Sequence, residues 1–581
     1  MRARKLPKLL QGFTLVICLS PLTIYAAQQK LLWGKVEDHA SLLKNFHLKH
    51  NAPSSPDLQL PTNLSIQKNT INTLQLIGGN VDTSEVSHVR YNQYYDGLPV
   101  FGAQVIYHIS SNANTTVTGL LVDDIVQDVP NIDSKISIAQ AETIATAGNS
   151  VATRVNTKKI IYFDKNSSSK AILAYHISYV KKTSRGPSIS SYIIDANKGT
   201  VLQEWDALPK SALGQGPGGV TFNNLPYRSG RYQFGNLETG TNALGKFDIL
   251  FQNNTCSISN NLFRVINLKN QEAAQLPFEL PISTASEIAY QLIPFVYACS
   301  SPNYANLTDD GFAPVNDGLS PINDVTYFVK QTFNMLTNQY KVPSPIGTQL
   351  PLRVYTHLAD FDNAFACGPH CMQEGGIVGP QQLVFGNGQT RFSPLTEADV
   401  VAHELGHLVT DHFSTLIYFQ QSGGINEAFS DITGMTVNNY LRTTLGFTWY
   451  WNGNDWTIGA NISKTGKPLR YMNNPPLDGR SIDNAANFIP GMNVHYSSGV
   501  FNKAFYLLST TPGWTISKAY RIILDANMHY WIPGTDFAYG ACGVIQAAYN
   551  RGYPYQDVII AFSRVGVTCL VGQSAIMATN N

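Results

Sequence analysis

The run Val400-Val401-Ala402-His403-Glu404-Leu405-Gly406-His407-Leu408-Val409 decides the fold of this chain. Apart from the two histidines and the glutamate it holds only apolar residues and one glycine, a composition that continues as a buried helix. An α-helix turns once in about 3.6 residues, so positions four apart share a face, and His403 and His407 point two imidazole nitrogens at one ion. Glu404 lies about 100° further round the helix, off that face but within reach of a water held by the ion. This is the HExxH arrangement of a zinc hydrolase, with the glutamate as general base. The structural alternative is a core helix with two satisfied histidines.

A further carboxylate follows in Ser422-Gly423-Gly424-Ile425-Asn426-Glu427-Ala428-Phe429-Ser430-Asp431. Glu427 lies 427 − 403 = 24 residues after His403. That leaves room for the first helix to end, a loop to turn through Gly423 and Gly424, and a second helix to begin beside the first. Catalytic zinc takes three protein ligands and keeps one position open. His403, His407 and Glu427 supply the three. Two imidazoles and one carboxylate leave a net charge of about +1 at the ion, which acidifies bound water strongly. Asn426 and Asp431 flank the ligand and are placed to accept the outward N–H of the histidines, fixing tautomer and orientation.

His403-Glu404-Leu405-Gly406-His407 followed by Gly423-Gly424-Ile425-Asn426-Glu427-Ala428-Phe429-Ser430-Asp431 resembles the thermolysin-like zinc endopeptidases, and the later stretch is similar to their elastase-type (pseudolysin) branch. The likeness runs from about Gly214 to Cys569, with a matching pro-region ahead of it. It implies an α+β, two-lobed catalytic domain: a sheet-rich N-terminal lobe at 208–395 and a helical C-terminal lobe at 396–581. Two α+β pro-domains, 28–120 and 121–207, precede it, and 1–27 reads as a signal peptide. The implied activity is zinc-dependent endopeptidase cleavage of proteins or peptides, with a hydrophobic residue preferred after the scissile bond. The implied pro-region acts as intramolecular chaperone and inhibitor of a zymogen, and a monomer is expected.

The resemblance assigns further roles. Tyr418 and His495, the latter in Asn493-Val494-His495-Tyr496, match the two donors to the oxyanion. Arg470 matches the arginine that shapes the pocket after the scissile bond, and Asn363-Ala364 the edge strand that holds the peptide backbone. Four departures stand out. The segment Cys367 to Gln382 is about a dozen residues longer than the family's turn, and Ala366 replaces a large aromatic residue. Asn493 stands where the pseudolysin branch has an aspartate. A neutral amide orients the ring of His495 but does not favour imidazolium as a carboxylate would, so weaker activity at neutral pH is expected. Asp399 occupies a calcium-binding position, yet Met435, Asn438 and Gly446 replace the acidic partners. Calcium takes six to eight oxygens, so its site is expected to be lost or much weakened.

The rest of the chain fits export. Arg2, Arg4, Lys5 and Lys8, then the largely apolar Phe13–Leu19, then Ala26 and Ala27 compose a secretory signal. Cys18 follows Ile17, not the small residue of a lipoprotein signal, so cleavage and no membrane anchor are expected. Charged residues are 14% of the 581, against a usual ~25%, and the formal net charge is +1, which provides no basic field for nucleic acid. Without Cys18, six cysteines remain: Cys256, Cys299, Cys367, Cys371, Cys542 and Cys569. An even number in an exported chain reads as paired. The resemblance implies Cys256 with Cys299 and Cys542 with Cys569, leaving Cys367 with Cys371. The competing reading is a second metal site from Cys367, His370 and Cys371.

Alternation marks strands at Val89–Tyr95, Leu98–Ala103, Ala174–Val180 and Ser191–Ala196, with turns at Asp96-Gly97 and Gly199. Tyr227–Phe234, Lys246–Phe251 and Leu352–His357 are expected strands of the sheet lobe. The stretch Leu208–Gly219 is a linker by composition. Helices are expected at Asn502–Leu508, Ser517–Tyr530, Cys542–Asn550 and Tyr555–Val565. The rival reading from another class is an inactive relative that acts by binding; a zinc hydrolase of non-peptide bonds is a further one.

Overall fold

A computed structural model describes residues 27–49, 71–82, 85–110, 115–146, 153–165, 169–183, 186–206, 250–252, 255–298, 316, 321–447, 453 and 455–569. The expected signal peptide, the linker at Leu208–Gly219, the strand at Tyr227–Phe234 and Cys299 lie outside the described residues.

Residues 28–206, the expected pro-region, form one ten-stranded sheet. Asn72–Val81, Ser87–Tyr95, Leu98–Ile109 and Thr115–Asp123 run antiparallel in sequence, and Gln28–Lys35 closes on Thr115–Asp123. A second antiparallel group, Thr153–Asp164, Lys170–Thr183, Gly186–Asp195 and Val201–Asp206, joins it through a single parallel pairing of Val100 with Ile161. The expected division at 120/121 falls inside the strand Thr115–Asp123, which pairs entirely within the first group.

In the sheet lobe, Phe263–Glu272, Leu352–Ala359 and Gln382–Gly386 pair in parallel, and Ala364–Cys367 adds to the last in antiparallel sense as the edge strand. The insertion after it forms a short helix, Pro369–Glu374, tied back by the disulfide Cys367–Cys371. That bond consumes the thiols that a metal site at Cys367, His370 and Cys371 requires. Cys542 pairs with Cys569.

The helical lobe holds Ala398–His412 (the His helix), Gln420–Thr443 (the Glu helix), Val494–Ser497, Gly499–Ser509, Ile516–His529, Phe537–Asn550 and Tyr555–Ser563. One hydrophobic core runs from Phe263 and Leu352 of the sheet lobe through both long helices to Val567, and takes in Trp33 and Ile106 of the pro-region. A second joins Ile160, Val180, Ile189 and Trp205 of the pro-region to Tyr355, Phe365 and Met372 of the sheet lobe. The pro-region is thus seated on both lobes through buried apolar surface, the main favourable term in such docking.

One sequence expectation is corrected. Gly423 and Gly424 do not form the turn between the two helices; they lie within the Glu helix, and the turn is Phe413–Phe419. Their smallness serves packing. A Cβ on Gly423 would sit 2.4 Å from Val494 Cγ1, and one on Gly424 would sit 2.4 Å from Ser497 Oγ, so the short helix carrying His495 presses against these two positions.

Candidate active site

The His helix and the Glu helix approach so closely that a Cβ on Gly406 would lie 2.9 Å from Ser430 Cα, and one on Gly434 would lie 2.5 Å from the Asp399 carbonyl oxygen. A glycine inside a helix costs roughly 1 kcal/mol relative to alanine. Here that cost permits the contact that brings Glu427 to the histidines. His403 Nε2 and His407 Nε2 are 3.1 Å apart; Glu427 Oε2 is 3.6 Å from the first and Oε1 is 3.4 Å from the second. The ligand atoms of the three residues lie within 4.8 Å of one another, and all three side chains are buried.

The surrounding hydrogen bonds settle what this arrangement holds. His403 Nδ1 faces Asp431 Oδ1 at 2.9 Å and His407 Nδ1 faces Asn426 Oδ1 at 2.8 Å. Both partners accept, so both Nδ1 atoms carry the proton and both Nε2 atoms present lone pairs inward. Glu427 Oε2 is buried with no hydrogen-bond donor. Two acceptor nitrogens and a carboxylate oxygen facing one another call for a cation between them, and the donor set of two imidazoles and one carboxylate fits zinc.

Charge is arranged to keep the carboxylates ionised. Burial alone would raise Asp431, but Arg470 and His403 hold it down at about 2. Arg470 forks onto it through Nε and Nη2, each at 2.6 Å, and Asn502 Nδ2 donates to Oδ2 at 2.8 Å. Burial likewise opposes ionisation of Glu427, but His495, His407 and His403 outweigh it and hold the carboxyl well below its usual range.

Tyr418 donates its hydroxyl to Glu427 Oε1, and that hydroxyl lies 3.3 Å from His495 Nε2. His495 Nε2 is also 3.4 Å from Glu427 Oε1. Its Nδ1 faces Asn493 Oδ1 at 2.7 Å, the same oxygen that accepts the His495 backbone N–H at 2.9 Å. Glu404 is fully buried on the His helix. Asn363 is buried beside the edge strand that begins at Ala364, and its side-chain oxygen has no hydrogen-bond partner. His412 lies against Phe413 at the end of the His helix, their rings tilted at 56°, outside the ligand group.

Sequence reasoning missed several contributors. Asn502 reaches Asp431 across 71 residues, with no local signal. Gly406 was legible only as an unexplained glycine in a helix. Beside Asp399 stands Glu397, also buried and hydrogen-bonded to it, with Asp455 near both. Burial, then the charge of Asp399, pushes Glu397 well above the usual carboxyl range, and burial raises Asp399 as well. The carboxylate count at this position is therefore higher than the sequence comparison allowed.

The match of this chain to known proteins agrees with the site. Residues 235–411 match the thermolysin metallopeptidase catalytic domain, 414–567 the thermolysin metallopeptidase alpha-helical domain, and 72–118 the fungalysin/thermolysin propeptide motif. The chain is 35% identical over 514 residues to the hemagglutinin/proteinase of Vibrio cholerae, covering 86% of this chain and 73% of that one. It is 30% identical over 524 residues to a zinc metalloproteinase of Legionella pneumophila, covering 85% and 88%. It is 26% identical over 601 residues to thermolysin from a Bacillus species, covering 94% and 96%. Fold and ligand set together define a zinc metalloendopeptidase. The chain belongs to the thermolysin family and carries that family's propeptide motif.

Proposed function

We propose that the chain is exported as a zymogen of pseudolysin type and, freed of its pro-region, hydrolyses peptide bonds with Glu404 as general base. The observation that carries this reading is the convergence of His403, His407 and Glu427 with Glu404 one position along the same buried helix. Zinc held by His403, His407 and Glu427 would supply a Lewis acid for the scissile carbonyl and would acidify a bound water. Glu404 takes the proton of the attacking water and passes it to the leaving amine. Tyr418 and His495 donate to the oxyanion, where one donor is worth roughly 3 kcal/mol. Tyr418 exchanges its hydrogen bond to Glu427 for this one as substrate enters.

Substrate is held at the open edge of the sheet. Asn363 keeps a buried amide oxygen for the peptide, and Ala364 begins the strand to which the peptide adds. Arg470, locked on Asp431, shapes the pocket for a hydrophobic residue after the scissile bond. The docked pro-region inhibits: its Leu98–Ala103 segment and Lys158 line, with His407 and Tyr418, a cavity of about 630 Å³ at the cleft. It also assists folding. The mature form is a monomer acting on protein or peptide substrates. No helix of the described residues is long and apolar enough to cross a membrane.

The test is Glu404→Gln. Casein cleavage is expected to fall by a factor on the order of 10³ while zinc content stays at one per chain. Cleavage that survives this change would return the family member to a different base or a different mechanism.

A further inference from the structure

Three histidines meet in the seam between the pro-region and the helical lobe. His88 and His108 lie on the neighbouring strands Ser87–Tyr95 and Leu98–Ile109, and His529 ends the helix Ile516–His529. They are only 1%, 6% and 5% exposed. His88 Nδ1 is 2.6 Å from His108 Nδ1, and the His88 ring stacks on His529 at 4.3 Å between centroids and 21° between planes.

The contacts around them limit how many protons they hold. In the His88–His108 bond one Nδ1 donates and the other accepts, so the two cannot both be imidazolium. His529 Nδ1 lies 3.3 Å from Asn80 Nδ2, a donor, so that nitrogen accepts and His529 is neutral. His108 Nε2 faces Thr118 Oγ1 at 2.7 Å and His88 Nε2 faces Asp82 Oδ2 at 3.0 Å.

The charges that look onto the cluster come from every element around it. Arg90, two positions from His88, donates to the carbonyls of Met528 and Trp531 at 2.9 Å each. From the lobe come Arg521 and Arg551, both paired with Asp525; His412 lies within the field of Arg90. Tyr530 stands against the His88 and His108 rings, and Trp33 packs on Tyr530 and on Tyr539. Asp82 thus places a carboxylate against His88, while Arg90, Arg521 and Arg551 oppose more positive charge in the cluster. A crevice of about 60 Å³ lined by Asp82, Asp525, His529 and Arg551 adjoins the cluster.

We propose that this seam is an acid-sensitive latch: the pro-region stays docked while the three imidazoles together hold at most one proton, and lifts away as further protons bind. Burial, then His88 and Arg90, holds His108 far below the ordinary histidine range; burial, then His88, Arg90 and Arg521, does the same for His529. The sign follows. A histidine kept neutral when docked and free to titrate when undocked contributes docking stability that is complete above its undocked pKa of about 6.5 and drains away as pH falls below it. Two such groups weaken docking by up to about 100-fold per pH unit in that range. The use of the latch to trigger activity rests on the zymogen reading above; the latch itself does not.

The experiment is hydrogen exchange of the full-length Glu404→Gln chain at pH 7.5 and 5.0, corrected for intrinsic rates. Protection of Ser87–Tyr95, Leu98–Ile109 and Ile516–His529 is expected to drop at least tenfold at pH 5.0, while Leu352–Ala359 keeps its protection. The double change His88→Gln with His108→Gln, and separately His529→Gln, should each reduce the pH dependence. Equal protection at both pH values, loss shared by Leu352–Ala359, or full pH dependence in the folded variants would each overturn the latch. Should a variant fail to fold, the comparison between the two pH values in the parent chain still decides. If the seam opens at pH 5.0 yet wild-type chain gains no activity sooner there, the use of the latch as an activation trigger fails and the latch stands.

Discussion

Asn493 Oδ1 serves both the backbone N–H and the ring Nδ1 of His495. Asn493→Asp keeps both contacts and adds a negative charge against the ring, which favours imidazolium by roughly one pKa unit or more. If His495 acts as a protonated donor, activity is lost as pH rises through its pKa, so the alkaline limb of kcat/KM should move up by about that much. A profile identical to wild type would remove the role given to this pair. A second residue-scale expectation concerns Asn426 and Asp431. Asn426→Ala deletes the acceptor that holds the His407 ring and should weaken zinc binding about 10–100-fold, read by competition with a chelator. Asp431→Ala should do this and also leave Arg470 buried without its main partner, a further loss of roughly 3–5 kcal/mol seen in denaturant unfolding. The three expected ligands were legible because two share a helix face four residues apart. The supports were legible only where they flank a ligand, as Asn426 and Asp431 do; Asn502 and Glu397 act through folding that no local pattern encodes.

At the scale of elements, the distance between the His helix and the Glu helix sets the geometry of the centre, and Gly406 sets that distance. Gly406→Ala gains helix propensity of roughly 1 kcal/mol but drives a methyl into the Ser430 backbone, and overpacking of this kind costs about 1–3 kcal/mol. The variant should melt lower or at an unchanged temperature and bind zinc more weakly; a variant that is both more stable and equally tight would show that the helices separate freely. Alternation and apolar spacing made the strands Ser87–Tyr95 and Leu352–Ala359 and the C-terminal helices readable from residues alone. Gly423 and Gly424 were misread because a glycine pair signals a turn as readily as a tight helix contact, and only Val494 and Ser497, about seventy residues away in sequence, distinguish the two.

For the whole molecule, the metal content is the open quantity that chemistry narrows most. Met435 and Gly446 offer no side-chain oxygen and Asn438 no charge, while Glu397 and Asp455 stand near Asp399. Among the described residues, only His403, His407 and Glu427 bring three such groups within 4.8 Å. Elemental analysis of the purified mature enzyme is therefore expected to give one zinc and no stoichiometric calcium; one calcium per zinc would mean that the acids near Asp399 gather around an ion. The order of propeptide motif, catalytic domain and helical domain that the family models give was implied by the resemblance, whereas the packing of the N-terminal sheet on both later parts was not, since it depends on surfaces contributed by Trp33, Ile106 and Trp205 from distant parts of the chain.

Arg90 donates to the carbonyl of Met528, in the last turn of the helix Ile516–His529, where helix carbonyls lack internal donors, and to that of Trp531 just beyond it. On the zymogen reading proposed above, the pro-region would serve as a mould for that corner of the enzyme, supplying donors to two carbonyls there. If the mould is discarded as that reading has it, an enzyme molecule that loses its shape would lack the instructions for regaining it, and its working life would be set by how slowly it comes apart, not by how readily it reassembles.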